Sequence, residues 1–168
     1  MSDMKQIIID IENRLTEKVS ELQYIAENWG QLDLYADHPP VKFPCALVDI
    51  TSASFSNAGN KLQEGNVSIV ITVADMSNLV SRKAPTEMKM RALKIYDIVK
   101  DINKALHGWS GNNAYAKLMR TSYAKSTRED GARLHTVTYT TTCWDNSAQT
   151  EQNAVVNEIE INQTKLGV

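Results

Sequence analysis

The sequence predicts an α+β domain: one mostly antiparallel sheet with two helices packed on one face, in the order α-β-β-β-α-β-β, plus a polar C-terminal arm. Three observations predict it. Two long segments repeat apolar residues every three or four positions, as a helix with one buried face requires. Other segments alternate apolar and polar residues, or are β-branched almost throughout, as strands are. Clusters of Gly, Pro, Asn, Asp and Ser separate these segments. With 168 residues the chain is long enough to bury a core without metal or disulfide staples. Residues 1–145 are read as a single domain and 146–168 as an arm, extended or ordered by a partner.

The first helix is expected over 3–20. Met4, Ile8, Ile11, Leu15, Val19 and Leu22 line one face. Asp3 and Gln6 form a capping-box arrangement, and Asp10 and Arg14 make a pair on the solvent side. The period then changes: Leu22, Tyr24 and Ala26 alternate with polar or oppositely facing neighbours, which predicts a short strand ending at Asn28-Trp29-Gly30. Trp29-Gly30-Gln31-Leu32 reads as an exposed aromatic loop. Pro39, Pro40 and Pro44 cannot donate to a ladder, so the next strand, 41 to about 55, opens at a strand start or an edge.

The clearest strand is 62–75, with Val67, Ile69, Ile71 and Val73 on one face and Ser68, Thr72 and Ala74 on the other, Val70 being the exception. Between these strands Ser56-Asn57-Ala58-Gly59-Asn60 reads as the long polar tip of a hairpin. Residues 76–85 form a polar connection carrying Arg82 and Lys83. The second helix starts near Thr86, a candidate N-cap, and carries a stripe of Met88, Ala92, Ile95, Val99, Ile102 and Leu106 before the His107-Gly108 stop. A last hairpin pairs about 114–126 with 132–144 across Arg128-Glu129-Asp130-Gly131, where Asp-Gly signals a type I′ turn.

Composition narrows the function. A formal net charge of −2 argues against an electrostatic grip on nucleic acid. No segment has the roughly 18 consecutive apolar residues of a membrane span, and the N-terminus does not read as a signal peptide. The two cysteines, Cys45 and Cys143, fall in strands and read as buried free thiols in a reducing compartment. His38, His107 and His135 are scattered. His135 and Cys143 share a strand face but stand roughly 26 Å apart at about 3.3 Å per residue, too far for one metal ion. No G-x-S-x-G elbow and no Gly-rich phosphate loop occurs. Nothing names a catalytic, metal or cofactor residue, and the expectation is a protein that is not an enzyme.

The run Trp29-Gly30-Gln31-Leu32, followed by Pro39-Pro40-Val41, Phe43-Pro44 and Ala46-Leu47-Val48-Asp49-Ile50, resembles the tail terminator (tail completion) proteins of long-tailed bacteriophages and prophages. The element order over 3–145 is similar as well. The resemblance implies a structural virion protein of the tail neck, assembled in the host cytoplasm. It implies a hexameric ring that caps the tail tube, ends tube polymerisation and meets a head-proximal connector or stopper protein. DNA passes through the lumen without being read, and neither a cofactor nor a membrane is involved.

Candidate contacts with a neighbouring subunit or partner are Trp29, Gln31 and Leu32 in the aromatic loop, and Asn57, Asn60 and Lys61 at the hairpin tip. Arg82, Lys83 and Arg128 in the polar connections complete the set. Alternatives are another neck or head-completion ring protein and, from a different class, a small-ligand or peptide-binding module.

Overall fold

The structure, a computed structural model, describes residues 4–34, 40–76, 83–111, 115–129 and 131–149. Eight elements follow in order: α1 (Met4–Lys18), β1 (Tyr24–Glu27), α2 (Gln31–Leu34), β2 (Cys45–Gly59), β3 (Leu62–Asp75), α3 (Thr86–Leu106), β4 (Met119–Thr127) and β5 (Arg133–Asp145). They form one five-stranded sheet of order β1-β2-β3-β5-β4. Only β1, which lies parallel to β2, departs from the antiparallel pattern. The α+β class, the mostly antiparallel sheet and the element order follow the sequence reading, with one short helix added. The expected Asp3 cap and the arm beyond residue 149 lie outside the described residues.

Strand register decides which side chains go inside. Ile69 stands opposite Tyr139 and Ile71 opposite Val137, and on the other flank Ile71 faces Val48 and Val73 faces Ala46. These positions share one face, and α1 and α3 lie over it with Ile7, Ile11 and Leu15 from α1 and Ile95, Val99 and Ile102 from α3. Ile7 takes the fully buried place expected for Ile8, which is only half-buried, because α1 is rotated slightly about its axis. Asp10 and Arg14 do not form the expected solvent pair. Asp10 is 8% exposed and accepts from Gln6 Nε2 at 2.6 Å. Arg14 donates to the Ala105 carbonyl at 3.2 Å and lies 5.3 Å over the Trp109 ring, fastening α1 to the end of α3.

Arg133 makes a second fastening. It donates to the Ala92 carbonyl of α3 at 2.6 Å and to Asp75 at 2.8 Å, joining helix and sheet at one buried point. At the start of α3, Pro85 occupies the N-cap and makes no side-chain bond, so Thr86 is the first helical residue and not the cap. Met88, read as part of the buried stripe, is 52% exposed, and the buried residues of α3 begin at Ala92.

β2 begins at Cys45, after a cis Phe43–Pro44 bond, and runs on to Gly59, well past the expected end. The expected polar loop at Ser56–Asn60 is therefore ladder: Ser56 pairs with Glu64 and Asn57 with Gln63. The reversal takes only Asn60 and Lys61, both at positive φ (49° and 60°), as a two-residue type I′ turn demands. Gly65 is needed within this ladder. A Cβ there would lie 2.7 Å from the ring of Phe55, its cross-strand partner.

The β4–β5 turn also differs from expectation. Gly131 N–H donates to the Arg128 carbonyl at 3.0 Å, Arg128 N–H donates to the Ala132 carbonyl at 2.9 Å, and Gly131 has φ 83°. Arg128 thus closes on Ala132 with Gly131 at positive φ, where the expectation placed a two-residue Asp-Gly turn; Asp130 itself lies outside the described residues. β4 starts at Met119, later than expected; Tyr115 makes only an isolated bridge to Cys143.

Candidate assembly surfaces

Gln31 and Leu32 are not surface contacts. Asn28 Oδ1 accepts from Gly30 N–H at 3.2 Å, and Gly30, at φ 90°, turns the chain into α2. The Gln31 amide, fully buried, then clamps this turn: its Oε1 accepts from Trp29 N–H at 2.9 Å and its Nε2 donates to the Glu27 carbonyl at 2.9 Å. Leu32 is 6% exposed in a small cluster with Cys45, Leu47 and Ala74 on the sheet face away from α1 and α3. Trp29, by contrast, is 55% exposed beside the end of β1, where the sequence reading placed it.

Asn57, Asn60 and Lys61 are all exposed at the β2–β3 turn. Asn57 Oδ1 accepts from Gly59 N–H at 2.9 Å, and the Asn60 carbonyl accepts from Gln149 Nε2 at 3.0 Å. Arg128 sits at the other end of the sheet, where it pairs with Asp33 of α2 at 2.6 Å with its own side chain only 15% exposed. That ion pair ties the β4–β5 turn to α2. Lys83 is exposed ahead of α3. Arg82 lies outside the described residues. The candidates thus divide between the two ends of a sheet whose central strand, at 14 residues, spans about 46 Å. They do not form one site.

Other surface features escaped the sequence reading. Met90, Leu93 and Tyr96, spaced by three along α3, are 62%, 50% and 42% exposed. Tyr96 reaches β4, where its hydroxyl accepts from Lys125 Nζ at 3.4 Å, and Tyr123 of β4 is 45% exposed. Beneath them Tyr123 and His135 share a hydrogen bond of 2.8 Å at His135 Nδ1, and the Tyr96 ring stands edge-on to the imidazole at 4.8 Å. Burial, then the charges of Lys125 and Arg133, lowers the His135 pKa against the opposing pull of Asp75. A neutral imidazole in this place orients Tyr123.

At the opposite edge of the molecule, Met4, Ile8, Ile9 and Glu12 of α1 face Glu27, Asp49 and Ile50 across a groove of about 490 Å³, with Lys5 at its rim. Burial, and then the charge of Glu27, raises the Glu12 pKa despite a backbone hydrogen bond from Glu27. Neither Glu12, Glu27 nor Asp49 has an ion-pair partner among the described residues.

Among the described residues no group of three His, Cys, Asp or Glu side chains is placed to hold a metal ion, and no helix is long and apolar enough to cross a membrane. Both cysteines are buried and unbridged. No protein-family model matches the chain, and no curated protein sequence is significantly similar to it.

Proposed function

We propose that the chain is a structural virion protein of a long-tailed phage or prophage, a tail terminator that closes as a six-membered ring on the finished tail tube. The ring ends tube polymerisation by occupying the surface on which the next tube ring would grow, and it offers its other side to the head-proximal connector or stopper. DNA passes through its lumen without sequence reading. The mechanism is geometric: head-to-tail contacts that close on themselves leave no free end for growth.

The observation that carries this reading is the pattern of residues 29–50. Its members build the β1–α2–β2 corner: Gln31 clamps the turn, Pro44 opens β2, and Ala46, Leu47 and Val48 are buried on alternating faces. The resemblance thus rests on residues that shape the fold. Supporting it, Trp29 and Lys83 stay exposed well away from the exposed Asn57, Asn60 and Lys61 of the β2–β3 turn, as suits a subunit touching a tube on one side and a connector on the other.

The test is assembly. Mass measurement of the protein with tail tubes should give a ring of six, and particles lacking the protein should carry tails of uncontrolled length that fail to join heads. Monomers under both conditions, or normal tails without the protein, would overturn the reading.

A further inference from the structure

Resting on that ring reading, we propose that neighbouring copies join head to tail, the β4 edge of one subunit seating against the acidic groove between α1 and β2 of the next. Among the described residues no further strand pairs with either edge of the sheet over most of its length. Among the described residues β4 pairs with no strand but β5, and of its backbone N–H groups that of Arg120 donates to His107 Nδ1 at 3.1 Å. Among the described residues β2 is covered by β1 over Cys45–Val48 alone, and no strand pairs with it on that side from Asp49 to Gly59. An open strand edge is a row of unpaired donors and acceptors, a template for another chain.

The polarity fits. Strands β2, β3, β5 and β4 alternate in direction, so β4 of one copy runs antiparallel to β2 of a second copy placed beside it with the same face inward. The Asp49–Gly59 stretch of β2 lies further along the strands than β4, since Met119 stands level with Ser52 through Thr140 and Ser68. Successive sheets must therefore step along their strands. Closed barrels do the same, with strands tilted by about 35–45°.

The chemistry fits as well. β4 and its approach carry Lys117, Arg120 and Lys125 and no carboxylate. The receiving groove carries Glu12, Glu27 and Asp49. On the inward side, Tyr123 of β4 and Tyr96 of α3, which accepts from Lys125, supply exposed apolar surface to match Ile8, Ile9 and Ile50. A two-fold contact of β4 with another β4 would set like charges together, which costs several kcal/mol. Unlike patches on opposite edges make a heterologous contact, the kind that generates rings.

Charge exchange tests this. One variant carries Arg120→Glu with Lys125→Glu, the other Glu27→Lys with Asp49→Lys; all four side chains are exposed or half-buried. Each variant alone should associate at least about a hundredfold more weakly than the unaltered protein, because like charges then meet at every contact. An equimolar mixture should assemble again, since each altered edge finds an oppositely charged partner and subunits alternate around an even ring. Salt at about 1 M, where the screening length is about 3 Å, should weaken assembly of the unaltered protein.

Circular dichroism of each variant identifies any that fails to fold, and Lys117→Glu with Arg120→Glu then replaces the first pair. Variant rings as stable as the unaltered ring, or folded variants whose mixture stays monomeric, would overturn the interface while leaving the ring reading intact. An unaltered protein that stays monomeric even on tail tubes would overturn both.

Discussion

The two faces of the sheet are built from the same strands and do different things. On the helix side Val67, Ile69, Ile71, Val73, Val137 and Tyr139 are buried under α1 and α3. On the far side Ser68, Val70, Thr72, Thr136 and Thr138 are half-buried and Thr140 is exposed. Among the described residues only α2 and the Val41–Phe43 approach to β2 cover that side, at the corner around Leu47. The difference teaches how one sheet serves a dry face and a wetter one: among the described residues only the helix side carries a full apolar layer. A carpet of small, β-branched hydroxyl residues satisfies strand geometry and tolerates water without needing a second layer.

The largest test of this contrast places a carboxylate on each side of one strand. Ile69→Asp should remove soluble folded protein, since an unpaired buried charge costs several kcal/mol, comparable with total stability. Val70→Asp, one residue along on the far face, should fold. Soluble, cooperatively melting Ile69→Asp protein would show that the helices cover the wrong side.

A second test probes the part of the helix-side face lying beyond the helices, where Phe55 covers Gly65. Gly65→Ala should cost about 1–3 kcal/mol by overpacking against that ring, measured by urea denaturation. In a Phe55→Ala background the same change should cost much less. Equal costs in both backgrounds would mean that Gly65 is kept for another reason.

How much of this was legible in the sequence varies by element. β3 is legible to the residue because alternation, broken only at Val70, and β-branching agree there, and α1 and α3 are legible from their period. Gln31 and Leu32 were misjudged because a four-residue helix leaves no periodic trace, and the Gln31 clamp depends on a carbonyl four positions back. Ser56–Asn60 was read as loop because its side chains are turn formers, whereas its conformation comes from the backbone ladder to β3. Met90, Leu93 and Tyr96 were readable as a second apolar row on α3. The opposed charges of the two edges were not, because no local pattern reveals that β5 inserts between β3 and β4.

A smaller effect compares the faces in alkali. Burial pushes the Cys45 thiol, on the α2 corner of the far face, from 9.0 up to about 11, and the Tyr139 phenol, on the helix side, from 10.0 up to about 12. Both folded values exceed the unfolded ones. The stability these groups contribute is therefore complete below the unfolded values and is lost as pH rises through the folded ones. Melting temperature should hold level to about pH 9 and then fall, with Cys45→Ala removing the earlier part of the fall. A melting curve unaffected by Cys45→Ala above pH 9 would exclude that thiol from the linkage.

The smallest expected effect is Thr138→Ala on the open face, within about 0.5 kcal/mol of the unaltered protein by urea denaturation. A larger loss would mean that this face is covered after all.

The insertion of β5 between β3 and β4 also sets the order in which the molecule can form. During synthesis β2 and β3 can pair early, but β3 keeps its second edge bare until α3 and the whole β4–β5 hairpin have followed. Because β3 joins β5 across so long a loop, closure is a slow step relative to hairpin or helix formation. Until it occurs, β4 has no sheet to terminate. A nascent or half-folded chain consequently cannot offer the edge that a neighbour would use, and only finished subunits are competent to join a growing assembly.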